Sequence, residues 1–154
     1  MKRILLWILV ISWMCLIFYF SAQNSRESTN QSRGVVEKIN IIEKYDYKTD
    51  IEKEQIMIGI DAKIRKVAHA SVFLVLGVLV CFLIKEFTLD IKKILVICFI
   101  ICITYAIGDE IHQLYVPGRS GEFKDVIIDT IGLLTGEMIF YLSGIKIWKK
   151  VKND

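Results

Sequence analysis

Two histidines, His69 and His112, and four acids, Asp109, Glu110, Asp125 and Asp129, are the residues of this 154-residue chain whose types suit proton-transfer chemistry. An imidazole takes or gives a proton near neutral pH, and a neighbouring carboxylate orients it or serves as the acid. Arg65 and Arg119 add planar guanidinium groups fitted to clamp a phosphate or carboxylate; Gln23 and Gln113 add amide donors and acceptors. The spacing sorts them into sets: Arg65 with His69, Asp109 with His112 and Gln113, and Asp125 with Asp129 share a face wherever the chain is helical. If the chain is an enzyme, His69, Asp109, Glu110 and His112 are the candidate catalytic groups. Gln23, Arg65, Gln113, Arg119, Asp125 and Asp129 are the candidate substrate-binding groups. No HExxH motif occurs and no spacing calls for a metal or a cofactor; a metal variant of the site would draw on both histidines with Asp109 or Asp125. The plainer alternative is that these are charges at helix ends, satisfied by Arg–carboxylate pairs and headgroup water.

What must position these residues is a series of apolar blocks. Hydrophobic residues make up 54% of the chain and the mean hydropathy is +0.47. They gather into blocks divided by charged stretches instead of alternating at helix or strand period, which is the pattern of a chain solvated by a bilayer. Spans are expected at about 4–20, 67–84, 92–110 and 126–146, near the ~17–25 residues that cross ~30 Å of hydrocarbon. The first block could also be read as a signal peptide, but it is too long for one, and Phe20 stands where cleavage after Ala22 wants a small residue. The third block reaches spanning length only if its helix starts near Leu89 to Lys92 and runs through Asp109, Glu110, His112 and Gln113 toward Tyr115, stopping at Pro117-Gly118. The fourth carries Asp129 near its start, Glu137 near its middle, and Gly132 and Gly136 at a spacing that lets backbones approach, within the protein or across a dimer. The expected fold is all-α: one polytopic domain over 1–154 with four transmembrane helices.

Residues 21–64 form a polar, nearly charge-balanced loop. Its opening SAQNSRESTNQS competes with helix formation, Val35, Val36, Ile39 and Ile42 mark a short amphipathic helix, and Thr49 with Glu52 resembles a capping box that opens a helix into the second span. Lys2, Arg3, Lys85, Lys92, Lys93, Lys146, Lys149, Lys150 and Lys152 all fall at one set of span ends, so both termini are expected in the cytoplasm and the loop outside. Gln23, Arg65, His69, the DEIHQ run, Arg119, Asp125 and Asp129 then converge on one outer level, where an unpaired charge at membrane depth costs at least ~2.5–3.5 kcal/mol. With 20 Lys+Arg against 17 Asp+Glu and no basic run interleaved with aromatics, nucleic acid is excluded as a partner. Cys15, Cys81, Cys98 and Cys102 all lie in apolar blocks, which rules out an exposed disulfide framework. Cys98 and Cys102 share a helix face, a spacing open to metal or redox chemistry or to simple packing as small hydrophobes.

Taken in order, FSAQNS (20–25), RKVAH (65–69), YAIGDEIHQLYVPGR (105–119) and DVIIDTIGLLTG (125–136) resemble the VanZ-like family of small bacterial membrane proteins. The likeness covers the membrane portion, and DE-x-HQ-x-x-x-PGR is its specific segment; Asp129 departs by standing where Asn occurs as often as Asp. The resemblance implies the bacterial cytoplasmic membrane and an association with lowered susceptibility to teicoplanin. Two functions from different classes follow: a non-catalytic module that binds or shields a membrane lipid or lipid-linked envelope precursor, or an enzyme that modifies one. A proton relay would need a deep acid such as Glu137, and scaffolding would use the glycines of the fourth span.

Overall fold

A computed structural model describes residues 1–23, 33–34, 49–119 and 121–153. The amphipathic helix expected around 35–42 lies outside the described residues. Among those described, the chain is helical with no strand, in four long elements: α1 Lys2–Ser21, α2 Asp50–Lys85, α3 Ile91–Gln113 and α4 Phe123–Asn153. Each contains a stretch long and apolar enough to cross a membrane. The fold is that of a polytopic all-α membrane protein.

The helix ends follow from local chemistry. At the start of α2 the Thr49 side chain accepts the Glu52 N–H while the Glu52 carboxylate accepts the Thr49 N–H at 3.0 Å, the reciprocal capping box that satisfies two otherwise orphaned donors. Because the helix starts at that cap, α2 runs 36 residues, far beyond the apolar block at 67–84; Ile, Met, Ala and Glu in between sustain it without a break. Asp90 caps α3 by accepting the N–H groups of Lys92 and Lys93 at 3.0 and 3.4 Å. As expected, α3 carries Asp109, Glu110, His112 and Gln113 to its C-terminal end.

The helices meet through small residues, and several hydroxyl and ring donors are tied off on main-chain carbonyls, as suits a chain without water at its flanks. The broadest interface joins α2 to α4. A Cβ at Gly132 would run into the Ala70 carbonyl, and one at Gly136 into the Leu74 carbonyl. The small-residue spacing therefore serves packing of the protein's own helices. Around it Phe73, Leu76, Val80, Cys81, Cys98, Cys102 and Leu133 form the core. Trp13 donates to the Val72 carbonyl at 2.9 Å and Tyr105 to the Met14 carbonyl at 2.6 Å, stitching α1 to α2 and α3. Ser71, Thr104, Thr130 and Thr135 each donate to the carbonyl four residues back. Ile4, Ile8, Ile100, Ile107, Met138 and Leu142 stay exposed on the outside of the bundle, a distribution suited to lipid and not to water.

At one end of the bundle Lys2 pairs with the Glu86 carboxylate at 2.6 Å, and Arg3 donates to the Glu86 carbonyl at 2.7 Å while lying over the Phe87 ring. The hydrogen bond from Lys2 holds the Glu86 carboxyl below its ordinary range. The other end holds the candidate site.

Candidate functional site

Four segments build the site: the C-terminal turn of α1, the middle of α2, the C-terminal turn of α3 with the loop that follows, and the first turns of α4. The loop reverses at Pro117-Gly118, where Gly118 has φ 75°, a left-handed conformation that glycine adopts without steric penalty. It then folds back so tightly that a Cβ at Gly121 would sit 2.6 Å from the Glu110 carbonyl. That return brings the Glu122 N–H to Glu110 Oε2 at 3.0 Å.

Arg119 points from this loop to α1. Its Nε donates to the Gln23 carbonyl at 3.1 Å and its terminal nitrogen to the Phe20 carbonyl at 3.4 Å. It therefore adds a donor at the helix end, where the Phe20 carbonyl also accepts the Gln23 N–H, and sets a positive charge against the negative end of the α1 dipole. Burial, reinforced by the nearby Arg65 charge, lowers the Arg119 pKa from its ordinary value. Gln23 thus takes part through its main-chain carbonyl. Arg65 itself is half-buried on α2.

Asp109 is buried and receives two hydrogen bonds on Oδ2, from Ser21 at 2.9 Å and from Gln113 at 3.2 Å. The i,i+4 relation of Asp109 and Gln113 is thus realised as a contact. His112, one residue short of Gln113, turns away and stacks on Phe18 with ring centroids 4.4 Å apart. Asp125 faces Lys66 across the α2–α4 seam at 3.5 Å. Four residues along, Asp129 is fully buried opposite His69, with Nδ1 and Oδ1 3.6 Å apart, too far for a hydrogen bond. His69, Glu110 and Asp129 form the tightest set: one ligand-type atom from each lies within 4.8 Å of the others. Asp109 Oδ1, Glu110 Oε1, His69 Nδ1 and both Asp129 oxygens are buried with no hydrogen-bond partner among the described residues.

The structure therefore gathers His69, Asp109, Glu110, Gln113, Arg119, Asp125 and Asp129 at one end of the bundle, while His112 and the side chain of Gln23 contribute differently from the simplest reading of their spacing. Sequence reasoning did not single out Ser21, Lys66, Phe18 or the Glu122 N–H. Ser21 stands in the FSAQNS segment and Lys66 beside Arg65, so a signal existed for both. Glu137 belongs elsewhere: it is buried two turns deeper, with Cys81 and Cys98 within 4.8 Å. All four cysteines are free.

Beside Glu110, a groove of about 550 Å³ opens between α3 and α4, lined by Ile103, Ile107, Ile111, Leu114, Phe123 and Ile127 with Glu110 at its polar edge. The walls are apolar, and Glu110 is the one charged residue among the described lining.

Four helices long and apolar enough to span a membrane, with a largely buried histidine–carboxylate cluster at one end next to an apolar groove, define a small multi-pass membrane protein with a polar site at one end of its bundle. The VanZ/LLP1 family model matches residues 6–145, and the chain belongs to that family. No curated protein and no solved structure matches it.

Proposed function

We propose that this protein resides in the bacterial cytoplasmic membrane with both termini in the cytoplasm, binds a lipid or lipid-linked envelope precursor at the outer leaflet, and by shielding it lowers susceptibility to teicoplanin. The observation that carries the reading is the groove at Glu110: its aliphatic walls suit an acyl or isoprenoid chain, and Glu110 joins it to the His69–Asp129 cluster, polar surroundings of the kind that orient a headgroup. The basic residues at the opposite end support the orientation. Catalysis is the second reading, favoured by the convergence of His69, Glu110 and Asp129 from three helices; His69 would serve as base, with a carboxylate as acid or orienting group.

Lipid extraction from the purified full-length protein separates the two. A binding module releases a phospholipid or isoprenoid carrier unchanged, and Ile107→Trp, which fills the groove, reduces its amount. An enzyme yields an altered lipid whose formation Glu110→Gln suppresses. In a teicoplanin-sensitive Gram-positive host, replacement of His69, Asp109, Glu110, His112 and Arg119 one at a time is expected to abolish protection at unchanged membrane abundance. Collapse of abundance throughout the set would instead assign these groups to holding the helices together.

A further inference from the structure

We propose that His69, Glu110 and Asp129 form a binding site for one divalent transition-metal cation, of which Zn²⁺ and Mn²⁺ suit the donors best. Asp129 has 0% of its surface exposed, and neither of its carboxylate oxygens has a hydrogen-bond partner among the described residues. A buried carboxylate in that position needs a cation or a proton. Its neighbour His69 approaches with Nδ1 3.6 Å from Oδ1, longer than a hydrogen bond but close to the ~3.4 Å that separates two donors sharing a tetrahedral metal at ~2.1 Å each. Glu110 supplies the third group. Its Oε1 is buried and unpartnered, while its Oε2 is oriented by the Glu122 N–H at 3.0 Å, the outer support that metal-binding carboxylates carry.

The three donor atoms lie within 4.8 Å of one another. Closing that set to a metal radius needs movements of about 1 Å, which side-chain rotation provides without moving a helix. The two carboxylates would neutralise the dication and accept Mn²⁺ through oxygen, and the imidazole favours Zn²⁺ over Mg²⁺. Three protein donors leave at least one coordination position open. The neighbouring acids fall outside the set of three: Asp109 is held on Oδ2 by Ser21 and Gln113, and Asp125 faces Lys66. His112, which the sequence offered as a second imidazole ligand, is stacked on Phe18. This assignment stands on the donor geometry alone and does not depend on the lipid-binding reading.

The test uses the full-length protein in detergent, stripped with chelator and titrated with Zn²⁺, Mn²⁺ or Mg²⁺, with bound metal counted by mass spectrometry. The expected result is one Zn²⁺ or Mn²⁺ per chain and none of Mg²⁺. His69→Ala and Asp129→Asn should weaken binding by more than the ~10–100-fold typical of losing an outer partner, whereas Cys98→Ala should leave it intact. Absence of stoichiometric binding by the wild type overturns the proposal, as does binding that survives His69→Ala and Asp129→Asn. If those variants fail to fold, Co²⁺ bound to the wild type decides. Visible bands without a thiolate charge-transfer band place the ion on nitrogen and oxygen; a thiolate band places it on Cys81 and Cys98 and refutes the site.

Discussion

Asp109 shows how a buried carboxylate can join two helices, because the Ser21 hydroxyl that it accepts comes from α1 and the Gln113 amide from its own α3. Hydrogen bonds between membrane helices contribute ~0.6 kcal/mol on average and up to ~1.7. Ser21→Ala should therefore lower stability by an amount in that range, read as a shift of the unfolding midpoint in a detergent titration; an unshifted midpoint would mean that Gln113 alone orients Asp109. At the opposite end, Lys2 depresses the Glu86 carboxyl from its ordinary 4.5. A carboxyl with a depressed folded-state pKa contributes stability that is present above its unfolded value and lost as pH falls through the folded one. The stability difference between wild type and Glu86→Gln should thus be present at neutral pH and vanish in acid below the ordinary carboxylate range, which unfolding midpoints measured across pH will show.

At the scale of the elements, the α2–α4 seam is the joint that sets the site, since His69 and Lys66 stand on one side and Asp129 and Asp125 on the other. Gly132→Ala should prise it open: the added methyl meets backbone at Ala70, a steric insult costing at least the ~1–3 kcal/mol of ordinary overpacking. Gly144→Ala has open space around it and should gain the ~0.5–1 kcal/mol that alanine holds over glycine inside a helix. Folded yield and melting temperature of the two variants will move in opposite directions. The spacing of Gly132 and Gly136 was legible in the sequence, but which helix receives them was not, because a small-residue stripe carries no mark of its partner. The capping box at Thr49 and Glu52 was legible for the opposite reason, since both halves of the interaction sit within one turn. His112 marks where the reading stopped. Its separation from Asp109 puts both on one side of α3, yet Phe18, nearly a hundred residues away, decides the direction of the ring. Ser21 lay in the FSAQNS segment, but its partner was not legible there, because Asp109 is 88 residues distant.

Across the whole molecule, charge is distributed by end. Lys2, Arg3, Lys85, Lys92 and Lys93 gather where α1 and α3 begin and α2 finishes, and the histidine–carboxylate cluster occupies the other end. A reporter that works only in the cytoplasm, fused after Asp154, should be active, and the same reporter inserted in the segment between α1 and α2 should be silent; the reverse pattern would invert the proposed orientation. The length of α2 adds a mechanical consequence. Its 36 residues measure about 54 Å at ~1.5 Å each, and Thr49 stands ~30 Å from His69 along that one rod. The portion before Arg65 is an arm and the α2–α4 seam its fulcrum: a swing of about 10° at His69 carries the tip by ~5 Å. If the rod stays straight, a displacement at Thr49 reaches the imidazole as a small rotation.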